Sequence, residues 1–312
     1  MGPLIIGRVP ELNNIGGVGI FTSRLLLSSE FLRSNDYDFY STKNKNPIDL
    51  TLRIYRSTFV HFNGSSEFMM FVVTVLCKLL GKKLILSIHA EVGRGRGTLR
   101  LIEKWAVKLA YKPVVGAGSF SKAIRINNRS EKASAFIPPN YTHDSYVDSV
   151  IASIKGKKIF CTNANNFVFD SNDREIYGIL FLIKYFANQN DSVLVIVDSS
   201  GAYSKHFTRE KPPNVIFINQ DVDFCHLLIK SHCFIRFTST DGDSISIMES
   251  LFFNIPVIAT DCIIRPESCI PCQYGDLQSL DHAVNMFKAG NYKVVGVNSV
   301  LTYYDALYEQ LS

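Results

Sequence analysis

Residues 233–260 read CFIRFTSTDGDSISIMESLFFNIPVIAT. The stretch opens and closes on short, unbroken apolar runs, CFIRF and PVIAT, and a helix-like segment from Ser244 to Phe253 lies between them. Unbroken apolar strands are what a parallel sheet covered on both faces requires, so the stretch reads as strand, turn, helix, strand. Met248, Leu251 and Phe252 fall on one face of that helix. The turn TDGDS sits where a strand's C-terminal end meets a helix start, which is where open α/β sheets bind ligands. There the backbone N–H groups of Gly242, Asp243, Ser244 and Ile245 point outward, and the helix dipole favours an anion such as a diphosphate. Gly242 lets a ligand come close to the backbone. Asp241 precedes the helix and Glu249 lies more than a turn inside it, so the two acids suit different parts of one elongated ligand. Asp and Ser are also ordinary N-caps, and simple capping stands beside ligand binding as a reading of the same residues.

The same alternation runs outward in both directions. Before residue 139, PLIIGRV, FVHFN, KLILSIH, KPVVGA and ASAFIP read as buried strands, with helices over 17–33, 65–80, 98–111 and 119–127. After FIPPNYTHDS it starts again with KKIFCT, VLVIVD, VIFIN, CFIRF and PVIAT, and with helices near 175–188, 222–231 and 244–253. A length of 312 residues suits two domains. The expected fold class is α/β, two doubly wound Rossmann-like domains facing across a cleft. The expected division is residues 1–138, then 139–298, with the amphipathic helix of 299–312 packing back on the first domain.

Charge divides the halves. Residues 1–139 carry 20 Lys and Arg against 9 Asp and Glu, whereas residues 140–312 carry 13 against 19. A basic half of that kind suits a membrane surface or a phosphorylated ligand. The basic residues are not interleaved with stacking aromatics in a recognisable module, so no nucleic-acid partner is expected. Seven cysteines, mostly in apolar runs, fit reduced, buried thiols, and the C-x-x-C of Cys269–Cys272 reads as structural. The opening MGPLIIGRVPELNN lacks the basic start and long apolar core of a signal peptide. The most apolar stretch, Phe68–Gly81, is broken by Lys78 and too short to span a bilayer. A cytoplasmic protein, peripheral on the inner face of the membrane, is expected.

The segment TDGDSISIMESLFFNIPVIATD, with seven residues between Asp241 and Glu249, resembles the E-x7-E region of family 4 retaining glycosyltransferases of the GT-B fold. With Arg265-Pro266-Glu267 after it, it is similar to a branch from bacterial surface-polysaccharide (O-antigen and capsule) gene clusters. NNIGGVGIFTSRLL resembles the family's N-terminal Gly-Gly loop, LILSIHAE its strand ending in a donor-contacting His, and FIPPN its interdomain linker. The resemblance implies transfer of a hexosyl or N-acetylhexosaminyl group from a nucleotide sugar, most naturally a UDP-sugar, with retention. It assigns His89, Asp241 and Glu249 to the reacting centre: His89 supports it, Asp241 binds sugar hydroxyls, and Glu249 holds the ribose. It assigns Gly16 and Gly17 to the donor, beside Gly242, Asp243, Ser244 and Ile245 of the helix start. A lipid-linked oligosaccharide acceptor would meet the basic half, with Arg94 and Arg96 of EVGRGRGTLR as phosphate ligands.

Two departures qualify the resemblance. Asp241 is one methylene shorter than the family's Glu. The family's diphosphate-holding Arg and Lys fall near Asn163 and at Tyr177, so neither cation is kept, and Arg174 and Arg265 are the candidate substitutes. Metal-independent transfer is expected, with the helix start and the Gly16–Gly17 amides supplying positive potential; the Asp241-x-Asp243 pair is the one place for a divalent ion such as magnesium. The missing cations also suit a catalytically degenerate sugar-nucleotide-binding or scaffold protein. A GT-B nucleotide-sugar epimerase is the third reading.

Overall fold

The computed structural model describes residues 2–9, 17–89, 92–93, 97–164, 166–170, 172–206 and 211–312. They form two compact units: one from the chain up to Ile137 together with Ser299–Ser312, the other Pro138–Asn298.

In the N-terminal unit the elements run β1 (Leu4–Gly7), α1 (Gly17–Ser28), α2 (Glu30–Ser34), β2 (Asp38–Ser41), α3 (Pro47–Arg56), β3 (Phe59–Asn63), α4 (Glu67–Leu79), β4 (Lys83–Ile88), α5 (Thr98–Leu109), β5 (Lys112–Val115), α6 (Ala117–Ile126) and β6 (Glu131–Lys132). The sheet is parallel, in the order β2-β1-β3-β4-β5-β6, so its order reverses between β1 and β3. Leu4, Ile6, Val60, Phe62, Leu84 and Leu86 form its core with Met70, Val73 and Cys77 of α4. Local chemistry starts the helices: Ser66 caps α4, and Asn46 caps α3 ahead of Pro47.

Two expectations change here. The helix read over 17–33 breaks at Ser29, which caps α2 by accepting from the Leu32 N–H. The apolar run ASAFIP is not a strand, yet Phe136 and Ile137 are buried. Its carbonyls bond outside any ladder, Phe136 accepting from Val300 N–H at 2.9 Å and Ile137 from Arg24 Nη1 at 3.1 Å.

The C-terminal unit continues α7 (Ser145–Ser153), β7 (Lys158–Asn163), α8 (Ile179–Phe186), β8 (Ser192–Val197), α9 (Ala202–His206), β9 (Val215–Ile218), α10 (Phe224–Lys230), β10 (Cys233–Arg236), α11 (Ile245–Phe252), β11 (Val257–Thr260), β12 (Cys269–Cys272) and α12 (Leu277–Lys288). Its parallel sheet is ordered β12-β11-β10-β7-β8-β9, with the reversal between β10 and β7. Both sheets are thus doubly wound, as expected from the unbroken apolar strands. Asn254 ends α11 with φ +59°; the Ile255 N–H reaches the Ser250 carbonyl and the Asn254 N–H that of Leu251. α8 starts at Ile179, not Glu175, because the Glu175 carboxylate turns back to accept from the Ile179 N–H at 2.7 Å.

A final helix, α13 (Leu301–Leu311), belongs to the N-terminal unit. Tyr308 OH lies 2.6 Å from His61 Nδ1, His61 Nε2 lies 2.7 Å from Ser87 Oγ, and Ser87 Oγ lies 2.7 Å from Tyr304 OH. All four side chains are buried. Asp305 of the same helix accepts from the Ser29 hydroxyl and from the Glu30 N–H at 3.2 Å, reinforcing the start of α2.

Candidate active site

β10 ends on Arg236 beside the point where the C-terminal sheet reverses. A charged residue closing an apolar strand needs a counter-ion, and the turn that follows supplies it. Arg236 Nε donates to Asp241 Oδ2 at 3.0 Å and Nη2 donates to Oδ1 at 2.9 Å. Arg265 Nη1 donates to the same Oδ2 at 2.9 Å, and the Gly242 N–H donates to Oδ1 at 3.0 Å. A carboxylate offers about four acceptor positions, and these four donors fill them. Asp241 is 8% exposed and, in this arrangement, keeps no lone pair for a sugar hydroxyl. Burial opposes its ionisation, but Arg236 and then Arg265 outweigh burial and hold its carboxyl below the ordinary range. In this structure Asp241 pins the turn between β10 and α11.

The two arginines differ in what they have left. Arg265 also donates from Nε to the Thr260 carbonyl at 2.9 Å and from Nη2 to Thr238 Oγ1 at 3.3 Å, so it is locked into the strand ends. Arg236 uses only the two N–H groups that meet Asp241, and its guanidinium lies 5.4 Å from the Tyr177 ring centre. Its remaining three N–H donors have no partner among the described residues. Arg174, the other expected substitute, is half-exposed, pairs with Asp170 at 2.9 Å and stacks on Tyr274. The sequence reading missed Arg236; the trace it left is one arginine closing an apolar strand five residues before an aspartate.

Ser244 occupies the N-cap position of α11 but makes no side-chain cap bond, so capping does not account for it. Asn163, at the end of β7, donates from Nδ2 to Ser246 Oγ at 3.1 Å, and its Oδ1 is buried without a partner among the described residues. Asp243 is partly buried; burial and the charge of Asp241 push its carboxyl up. Ile245 begins the helix, and Glu249 is buried on its inner face with Ile247, Ser250 and Leu251. Met248 and Phe252, expected on that face, lie toward its edge, and Phe252 is exposed. Gly178, just before α8, has φ +58°, and a Cβ there would lie 2.5 Å from the Phe237 carbonyl oxygen. Only glycine lets the Tyr177–Gly178 backbone lie this close to the end of β10.

In the N-terminal unit, His89 follows β4 beside the end of β3. Its Nε2 pairs with Asn63 Oδ1, while Asn63 Nδ2 donates to Thr22 Oγ1 and the Val18 carbonyl. Val18 O can only accept, which fixes the amide orientation and puts the His89 proton on Nε2. Burial pushes His89 down to about 4, so the ring is neutral near pH 7. Nδ1 then carries a lone pair with no partner among the described residues. Gly17 is the exposed first residue of α1, whereas Gly16, Arg94 and Arg96 lie outside the described residues.

Among the described residues one group has metal-ligand spacing: His143, Asp148 and His226, on and beside α7 and α10. His143 and His226 meet Asp148 at 2.6 and 2.9 Å. His226 Nδ1 is buried without a partner among the described residues, so an Nε2-bound metal would leave a buried N–H unsatisfied there. The cluster fits hydrogen bonding. Of the Asp241-x-Asp243 pair, only Asp243 retains acceptor capacity for a cation, because Asp241 is filled by arginine and amide donors.

No protein-family model matches the chain, and no curated protein matches it. Solved structures do. HepE (Alr3699) from Anabaena, in complex with UDP, superposes with a TM-score of 0.71 at 12% identity, covering 99% of this chain and 95% of that one. Sucrose-phosphate synthase from Thermosynechococcus elongatus gives 0.70 at 13% identity over 99% and 98%. The lipopolysaccharide outer core galactosyltransferase WaaB, in its apo form, gives 0.59 at 13% identity over 100% and 98%. The chain has the fold of these GT-B glycosyltransferases.

Proposed function

We propose that the chain is a retaining glycosyltransferase that uses a nucleoside-diphosphate sugar, with UDP as the nucleotide. The observation that carries this reading is Arg236, a guanidinium with three unused donors, beside the uncapped start of α11 at the reversal of a doubly wound sheet. Arg236 takes the place of the cations absent at Asn163 and Tyr177 and holds the diphosphate. The α11 amides and Ser244 complete that cradle, and Glu249 holds the ribose. HepE, of the same fold, has been solved with UDP and with UDP-glucose, which supports the choice of nucleotide.

In the reaction the bond between the sugar's anomeric carbon and the β-phosphate oxygen breaks, and its electron pair leaves with the nucleoside diphosphate. The acceptor hydroxyl oxygen bonds to that carbon on the same face, and its proton passes to the departing phosphate. Positive potential fixed beforehand at the leaving phosphate lowers the barrier, because charge grows there in the transition state. His89, neutral and held by Asn63, offers its Nδ1 lone pair to a hydroxyl. The acceptor is a lipid-linked oligosaccharide of surface-polysaccharide synthesis, met by the basic N-terminal half.

Thermal shift against UDP-, GDP-, dTDP- and CMP-sugars, with and without magnesium, tests the donor, since a ligand of the folded state raises its stability by mass action. A shift with one UDP-sugar, lost in Arg236→Gln, is expected. No shift with any of them would sink the proposal. The neutral residues at Asn163 and Tyr177 favour a second reading, a sugar-nucleotide-binding protein without transfer. Donor binding with no hydrolysis and no transfer would support it.

A further inference from the structure

At the edge of the N-terminal sheet opposite Asn63 and His89, where β4 begins at Lys83 and β5 at Lys112, lies a cavity of about 690 Å³. Its walls carry Lys78, Lys82, Lys83, Lys108, Arg125 and Arg129, and no acidic residue. None of the six is in an ion pair among the described residues. Three sit in the last turns of α4, α5 and α6, where each offsets a helix dipole. Three helix ends amount to roughly −1.5 charges, so dipole compensation leaves a surplus of roughly +4.5. A fold alone has no use for that concentration of like charge.

The rim is apolar. Leu79 is 76% exposed next to Lys78, Tyr55 is 65% exposed with Lys82 Nζ 5.9 Å from its ring centre, and Trp105 is 52% exposed with Lys108 Nζ at 5.0 Å. Large apolar side chains interleaved with lysines are the composition of a bilayer-facing surface, where rings lie at headgroup depth and cations meet phosphates. We infer that this edge of the N-terminal unit docks on an anionic bilayer, with lipid phosphates in the cavity and Trp105, Leu79 and Tyr55 at the headgroup level. Docking there leaves the strand ends that carry Asn63 and His89 uncovered. The inference needs only this unit and holds or fails separately from the donor chemistry.

Trp105 is the chain's one tryptophan, so its fluorescence reports on the surface beside Lys108. Vesicles of phosphatidylcholine containing phosphatidylglycerol should shift its emission to the blue and carry the protein in flotation. Pure phosphatidylcholine vesicles and high salt should do neither. Each cation near an anionic surface contributes about a fivefold factor, so the triple variant Lys78→Gln, Lys108→Gln, Arg129→Gln should float about 100-fold less well. Its melting temperature should fall only slightly, because Lys78 and Lys108 lose a helix-end interaction and Arg129 its contact with the Tyr111 ring, while no ion pair is broken. An unshifted Trp105 spectrum on phosphatidylglycerol vesicles would overturn the inference, as would undiminished flotation of the folded triple variant. Binding of inorganic pyrophosphate without vesicle binding would make the cavity a soluble-anion site and overturn it equally.

Discussion

Asp241 lies between two guanidiniums, Arg236 on one side at 2.9 and 3.0 Å and Arg265 on the other at 2.9 Å, so one carboxylate holds two partly buried cations. Removing its charge has opposite effects on stability and on anion binding. In Asp241→Asn the free protein should lose about 3 kcal/mol, because two partly buried cations lose their charged partner. Pyrophosphate should then stabilise the variant more than wild type, because Arg236 is released to it. Denaturant titration with and without pyrophosphate measures both, and a variant less responsive to pyrophosphate would contradict the positioning role.

Arg236→Lys keeps the charge but loses the paired geometry with Asp241. UDP affinity should fall about tenfold, by calorimetry, while uridine, which lacks the diphosphate, binds as before. Equal losses for both would place Arg236 outside the diphosphate contact.

Gly178→Ala introduces a Cβ 2.5 Å from the Phe237 carbonyl oxygen at φ +58°. Backbone must move at the end of β10, and a loss of about 2 kcal/mol is expected in urea unfolding. Gly156→Ala, also at positive φ but with open space around it, should cost about 1 kcal/mol or less.

His61 is fully buried, and burial pushes it down to about 3, with neighbouring His89 acting in the same direction. The unfolded chain therefore binds a proton near pH 6.5 that the folded chain refuses, and stability falls as pH drops from about 6.5 toward 3. Between pH 6.5 and 5 this one ring should cost about 2 kcal/mol. Asp241 acts at lower pH: its depressed pKa lends stability above the ordinary aspartate value, lost as pH falls through the folded one. Denaturation midpoints from pH 7 to pH 5, compared with His61→Gln, measure the histidine's share; equal slopes in the two proteins would remove it.

The central strands were legible because a two-sided parallel sheet leaves its strands uninterrupted, as in LIIG, FVHFN and KLILSI. Edges were not. β2, DFYS, is half-exposed and mixed in polarity, and β12 is the CIPC stretch, whose Pro271 is tolerated because the strand lies at the sheet's margin. The place of the candidate site followed from strand, turn and helix order around Asp241. Its wiring did not, since the Arg265–Asp241 pair spans 24 residues and only folding brings it together. The break at Ser29 was hidden for the same reason: part of its support is Asp305, from the far end of the chain.

That placement of α13 bears on the order in which the molecule can be made. His61 and Ser87 are translated long before Tyr304 and Tyr308. Until α13 leaves the ribosome, those two keep each other but lack their tyrosine partners, and the start of α2 lacks its anion. Among the described residues the C-terminal unit is one continuous stretch, synthesised in full by Asn298, whereas the N-terminal unit gains α13 only afterwards.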